Sequence, residues 1–154
     1  MIDNIFYTCS VSGHREVKKD LDETVLRNIF TKLIKNGKIN TFLIGMAIGF
    51  DTICFKILEE IRKTEKIKIV AVIPCKNQDY NFNVQQKLEY DRMLSSADEK
   101  FLVSEEYKKG CMQKRNRYLV DNSSVLVAYV RKEKGGAVYT KNYALKKGVP
   151  IIEV

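Results

Sequence analysis

The sequence predicts an α/β fold, a doubly wound and mostly parallel sheet of about six strands with helices on both faces. Three observations carry that expectation. Six short apolar runs alternate with segments whose apolar residues recur every third or fourth position, the rhythm of βαβ units. Glycine-containing turns follow several of these runs and open the next helical pattern. No linker, repeat or low-complexity tract interrupts the alternation, so residues 1–154 are read as one domain, single domains clustering at roughly 100–150 residues.

Strands are expected near residues 5–10, 41–45, 67–73, 100–103, 124–130 and 150–154. Leu21, Val25, Ile29 and Leu33 recur at four-residue spacing and give the first helix its buried stripe, which Gly37 ends. Ile53, Ile57 and Ile61 repeat the pattern in the second helix, and Val84, Leu88, Tyr90 and Leu94 predict a third. A fourth is expected over residues 112–120. Ala137, Val138, Ala144 and Leu145 belong to a fifth, closed by Gly148 before Pro150.

In open parallel sheets ligands bind beyond the carboxyl ends of the strands, near the point where strand order reverses. The segments leaving those ends are therefore the candidate site. After the first strand, Ser10, Ser12, Gly13, His14 and Arg15 bring hydroxyls, an imidazole and a guanidinium that can meet phosphate or ribose. Gly45, Met46, Ala47, Ile48, Gly49, Phe50 and Asp51 then read as a turn for close backbone approach to a ligand at a helix N-terminus, or as a tight strand-to-helix turn with Asp51 as helix cap. That turn matches neither the full dinucleotide fingerprint nor a Walker loop.

After the third strand, Pro74 leads to Gln78, whose amide can read a base edge. The run from Tyr107 through Lys108, Lys109 and Lys114 to Arg115, Asn116 and Arg117 places an aromatic, a glycine and dense positive charge at a helix start. Gly135 and Gly136 strip side chains from the entrance to the last helix, where N–H groups point outward. Asp121 joins the candidates as a carboxylate for ribose hydroxyls.

A net charge of +8 and a pI near 9.3 favour an anionic partner, although the lysines are spread along every expected helix. The two clusters are the run just described and Arg131, Lys132 and Lys134. Four cysteines without a C-x-x-C pair and a single histidine argue against a zinc ribbon, a disulfide framework or a metal site. Cys54 falls within a helical apolar pattern, and Cys9 and Cys75 at strand ends. No apolar run approaches a membrane span, and the first four residues lack a basic leader, so a cytoplasmic protein with no membrane partner is expected. No cofactor is required by the sequence.

Taken in order, Ser12-Gly13-His14-Arg15, the 45–51 turn, Pro74 with Gln78, Tyr90 with Ala97-Asp98, Arg115-Asn116-Arg117 with Val120-Asp121, and Gly135-Gly136 resemble the SLOG superfamily and, within it, the functionally uncharacterised YpsA-like family. The resemblance runs nearly the whole chain. It implies a Rossmann-like fold and a pocket for a nucleotide-derived ligand of the ADP-ribose kind. Three positions depart from the pattern: Ala137 stands where threonine is usual, Phe82 where tryptophan is frequent, and Ser124 where aspartate is common. The Pro-Gly-Gly-x-Gly-Thr-x-x-Glu motif of the superfamily's phosphoribohydrolases is absent, so glycosidase activity is not implied.

The leading expectation is binding or sensing of a nucleotide-derived small molecule. Its phosphates would lie on the backbone of residues 45–50 and 135–137, with Arg15 and Arg115 adding charge-assisted bonds. One alternative is a hydrolase acting on the N-glycosidic or phosphate bond of such a ligand, for which Asp51, Asp121 and His14 are the available acid–base groups. A second is single-stranded DNA binding, which the basic balance suits. Pairing of two copies through helices is compatible with this size of domain, with no interface readable.

Overall fold

A computed structural model describes residues 4–154. Six parallel strands form one sheet: β1 (Thr8–Gly13), β2 (Thr41–Ile44), β3 (Lys68–Ile73), β4 (Glu99–Leu102), β5 (Val125–Tyr129) and β6 (Ile151–Glu153), in the order β4-β3-β2-β1-β5-β6. The helices are α1 (Glu23–Lys35), α2 (Phe50–Arg62), α3 (Val84–Ser96), α4 (Cys111–Asp121) and α5 (Gly136–Lys147). The Rossmann-like fold expected from the alternation is present.

Strand alternation sorts the core into two layers. Cys9, Val11, Phe42, Ile44, Ile69, Ala71, Val125, Val127 and Tyr129 face α1, α2 and α3. Leu43, Val70, Val72, Leu126 and Ala128 face α4 and α5. The first layer is the larger and holds the edge-to-face pair Phe30–Phe42, with ring centroids 5.5 Å apart. Each such fully buried side chain contributes roughly 1.5–3 kcal/mol of transfer free energy.

Three expectations about elements are corrected. The first strand begins at Thr8, not Ile5, because the Asn4 side chain accepts from the Phe6 N–H at 3.0 Å and winds Ile5–Tyr7 into a single 3-10 turn. It runs on to Gly13, so Ser12 and Gly13 are strand residues. In α1 the fully buried positions are Leu26 and Phe30; Leu21, Ile29 and Leu33 of the expected stripe pack half-buried against the core, while Val25, in the first turn after the Asp22 cap, is exposed. In α3, Val84 and Leu88 point to solvent, and Tyr90 and Met93 make the core contact.

Chain order runs from β1 outward to β4 and then returns through α4 to β5 on the other side of β1. The reversal lies between β1 and β5, whose register pairs Ser12 with Ala128 and Gly13 with Tyr129. A crevice opens at that point beyond the strand ends.

Candidate functional site

A cleft of about 630 Å³ occupies the reversal point. Its walls are the end of β1 (Ser12, Gly13, His14, Arg15), Ala47 and Asp51 from the β2–α2 turn and α2, Arg115 and Asn116 from α4, and Gly135 and Gly136 at the start of α5. Ten of the sixteen residues expected from sequence therefore share one cavity. Lys132, Lys134 and Tyr139 also line it. The lysines belong to a cluster visible in the sequence, whereas Tyr139 was missed. It lies one helical turn beyond Gly136 and hence on the same face.

Asp51 and Arg115 are the buried charges of the cleft, each about 6 % exposed. Asp51 Oδ2 accepts from the Ala47 N–H at 3.1 Å, which folds the turn back on the helix. Its Oδ1 is buried and has no donor among the described residues. Burial pushes this carboxyl up from its ordinary 3.8 to about 6, against the attraction of Arg115 and the Ala47 N–H. Arg115 donates through Nε to Asn116 Oδ1 at 2.9 Å and through Nη1 to the Gly45 carbonyl and, at 3.4 Å, to the Val72 carbonyl. Burial holds its pKa below the ordinary value, with Asp51 opposing.

The glycines of the β2–α2 turn serve the protein's own packing, which corrects the reading of that turn as a space for ligand backbone contact. A Cβ on Gly45 would stand 2.7 Å from the Arg115 guanidinium. One on Gly49 would collide with the Arg15 backbone, and one on Gly13 with the Phe50 ring. The first N–H of α2 is already taken, since Phe50 donates to the His14 carbonyl at 3.1 Å. At α5 the situation reverses. Gly135 (φ +121) has open space where a side chain would stand, a Cβ on Gly136 would meet only the Asn116 amide at 3.6 Å, and no side chain caps the helix. The exposed helix N-terminus is thus that of α5.

His14 does not have the free acceptor nitrogen that a general base needs. Its Nε2 accepts from the Arg131 N–H at 2.8 Å and the Lys132 N–H at 3.2 Å, so the proton resides on Nδ1. The ring thereby fastens the β5–α5 loop to the end of β1. Burial first, then the charges of Lys132 and Arg131, hold its pKa below 6.5. A depressed histidine favours the fold above the unfolded-state pKa, and that stability is lost as pH falls through the folded-state value. His14→Phe is expected to cost about 1–3 kcal/mol at pH 8 by leaving the two N–H groups without an acceptor. The deficit should narrow below pH 6.5, read as melting temperature against pH for both proteins; a deficit constant from pH 8 to 5 would refute the clamp.

Six candidates lie off the cleft. Asp121 is at the opposite end of α4 from the crevice, accepting from the Tyr143 hydroxyl at 2.9 Å, because the helix axis extends about 1.5 Å per residue. Gln78 Nε2 donates to the Gly45 carbonyl at 2.9 Å and its Oε1 accepts from the Tyr90 hydroxyl at 3.0 Å, so its amide is committed to the turn. Gly45 is beneath Arg115, and Gly49 against Arg15. Met46 sits in the left-handed region (φ 65) with its side chain in the core, and Pro74 is buried after β3. Phe82 packs edge-on against Tyr90. Asp98 Oδ2 accepts from the Ile69 N–H at 2.8 Å, which accounts for that motif residue structurally.

All four cysteines are buried and unbridged. Burial raises the Cys9 and Cys54 thiols well above their ordinary range. Among the described residues no group of three or more His, Cys, Asp or Glu could hold a metal ion. No helix among them is long and apolar enough to cross a membrane.

Solved structures with this fold include DNA processing protein A from Streptococcus pneumoniae (TM-score 0.69, 18% identity, 96% of this chain and 50% of that one). DNA processing protein A from Helicobacter pylori, described for its single-stranded DNA binding mode, has a TM-score of 0.66 at 19% identity, over 97% of this chain and 65% of that one. The chain thus spans half to two thirds of these proteins. The uncharacterised SPbeta prophage-derived protein YoqJ of Bacillus subtilis (strain 168) is 34% identical over 133 residues, 77% of each chain. The model of the YspA SLOG family (YpsA) matches residues 12–149. With strands β2 to β5 and all five α-helices inside that match, the chain belongs to the YpsA family of SLOG proteins.

Proposed function

We propose that the cleft binds a nucleotide-derived small molecule, with its phosphate at the N-terminus of α5 and a sugar hydroxyl on Asp51. The observation that carries this reading is the buried, donorless Oδ1 of Asp51 in the cleft wall beside a buried arginine. A ligand hydroxyl supplies the missing donor, and Arg15, Lys132 and Lys134 on the cleft wall outnumber its other carboxylate, Glu16. Binding is favoured over hydrolysis because Asp51 is left without an acid–base partner: the acceptor nitrogen of His14 is occupied and Asp121 is remote.

Asp51→Asn separates this role from a structural one. The amide keeps an oxygen for the Ala47 N–H and turns a donor, not an acceptor, toward the ligand. A carboxyl raised to about 6 has the folded state binding more protons than the unfolded between pH 3.8 and 6, so stability falls as pH rises through that window. At neutral pH the ionised group costs about 3 kcal/mol. The variant is therefore expected to melt at or above the wild-type temperature at pH 7.5 while binding AMP or ADP-ribose at least about tenfold more weakly by calorimetry. Wild-type protein silent to both nucleotides would overturn the reading.

Single-stranded nucleic acid is the second reading, supported by the likeness to DNA processing protein A together with the basic side chains at the same edge. Gel shifts at low and moderate salt test it: no shift at low salt removes it.

A further inference from the structure

A second cavity, of about 650 Å³, adjoins the cleft and shares Gln113 and Tyr139 with it as walls. Lys108, Lys109, Lys114 and Arg117 line it. Among the described residues none of the three lysines has an ion pair within 4 Å. The one carboxylate on its wall, Glu105, is already paired with Lys76. Three mutually repelling ammonium groups around one cavity are an arrangement that an anion relieves.

The partition between the two cavities is itself polar. Arg117 Nη1 donates to the Tyr139 hydroxyl at 2.9 Å, leaving that hydroxyl's own proton to donate toward either side. Arg117 is half-buried and held by this bond, whereas the lysines are exposed and mobile enough to adapt to a charged group. Gly110 (φ +86) stands at the mouth with nothing within 4 Å of where its Cβ would be, so no side chain obstructs the α4 end of the cavity.

We propose that this second cavity receives a second phosphate of the same ligand, which makes the preferred ligand a phosphate-linked di- or oligonucleotide. The inference rests on the cleft being a nucleotide site. One phosphate sits at α5 in the cleft, the other among Lys108, Lys109 and Lys114, and the connecting sugar or base passes Tyr139.

The test titrates the full chain, and a Lys108→Ala/Lys109→Ala/Lys114→Ala variant, with AMP, with the 5′-phosphorylated dinucleotide pApA and with a 5′-phosphorylated octadeoxyadenylate. All three lysines are exposed, and an unchanged melting temperature verifies folding. Wild-type protein is expected to bind pApA at least about tenfold more tightly than AMP, and the variant to lose that advantage while AMP binding stays within about twofold. Equal affinity of wild type for AMP and pApA, or equal weakening of both in the variant, overturns the second subsite and leaves the cleft reading standing. Failure of AMP and pApA alike to bind wild type overturns the cleft reading and this inference with it. The octamer distinguishes the source of the two phosphates. A strand ligand binds more tightly than pApA, with a salt slope steeper by about 0.7 per added phosphate contact. A dinucleotide ligand gains nothing from the extra length.

Discussion

Gly49→Ala is expected to destabilise the protein by about 3 kcal/mol or more, from a backbone conformation closed to L-residues and a collision with another backbone. Gly49 has φ 84 and ψ −119, outside even the left-handed helical region, and its missing Cβ is where the Arg15 carbonyl runs. Neither segment can yield cheaply, because the neighbouring Phe50 N–H is bonded to the His14 carbonyl. Gly110→Ala is the control. That residue has φ 86 but open space around it, so backbone strain alone applies, costing about 1–2 kcal/mol. Urea denaturation of both variants should give clearly different midpoints; equal losses would show that the contact with Arg15 contributes nothing.

Arg115→Met is expected to cost about 3 kcal/mol of stability and to weaken nucleotide binding by about a hundredfold. The guanidinium satisfies carbonyls of two strand ends and the Asn116 amide at once, a fork that Arg115→Lys does not reproduce. Its positive charge also holds the Asp51 carboxyl down toward about 6. Without it that carboxyl rises further, so a larger share is protonated at neutral pH and fewer molecules keep the acceptor that the proposed sugar contact uses. Adding Asp51→Asn to Arg115→Met should restore at least about 1 kcal/mol, a coupling read from a double-mutant cycle by denaturation. Strict additivity of the two changes would show that the charges do not sense each other.

The order of strands and helices was legible because short apolar runs alternate with segments of three- and four-residue apolar spacing along the chain. Where the reading slipped, a local bond decided the matter. The Asn4 side chain turns the segment before β1 into a 3-10 coil, and the Asp22 cap starts α1 so that Val25 falls in its exposed first turn while Leu26 and Phe30 meet the sheet. Val84 and Leu88 have the spacing of a buried stripe yet remain exposed, a tertiary outcome that spacing alone does not encode.

The site was legible to the extent that it follows from topology. Strand ends of a parallel sheet share an edge, and Ser12, His14, Arg15, Asp51, Arg115 and Gly136 meet there. Which glycine makes room for which partner was hidden, since Gly45 and Arg115 are seventy residues apart and the contact is absent from any local pattern. The histidine likewise reads as a catalytic candidate until its nitrogen is found bonded to two amides of another loop. Asp121 shows the converse error, a motif residue on the same helix as the cleft residues Arg115 and Asn116 but carried away by the length of that helix.

The carbonyl of Gly45 takes donors from both sides of the sheet, Arg115 from the α4 layer and Gln78, itself held by Tyr90, from the α3 layer. Elsewhere those layers have separate apolar cores. This oxygen works as a rivet: the two halves of the sandwich are fastened at the rim of the cleft, so neither can loosen without disturbing Arg115 in the cleft wall.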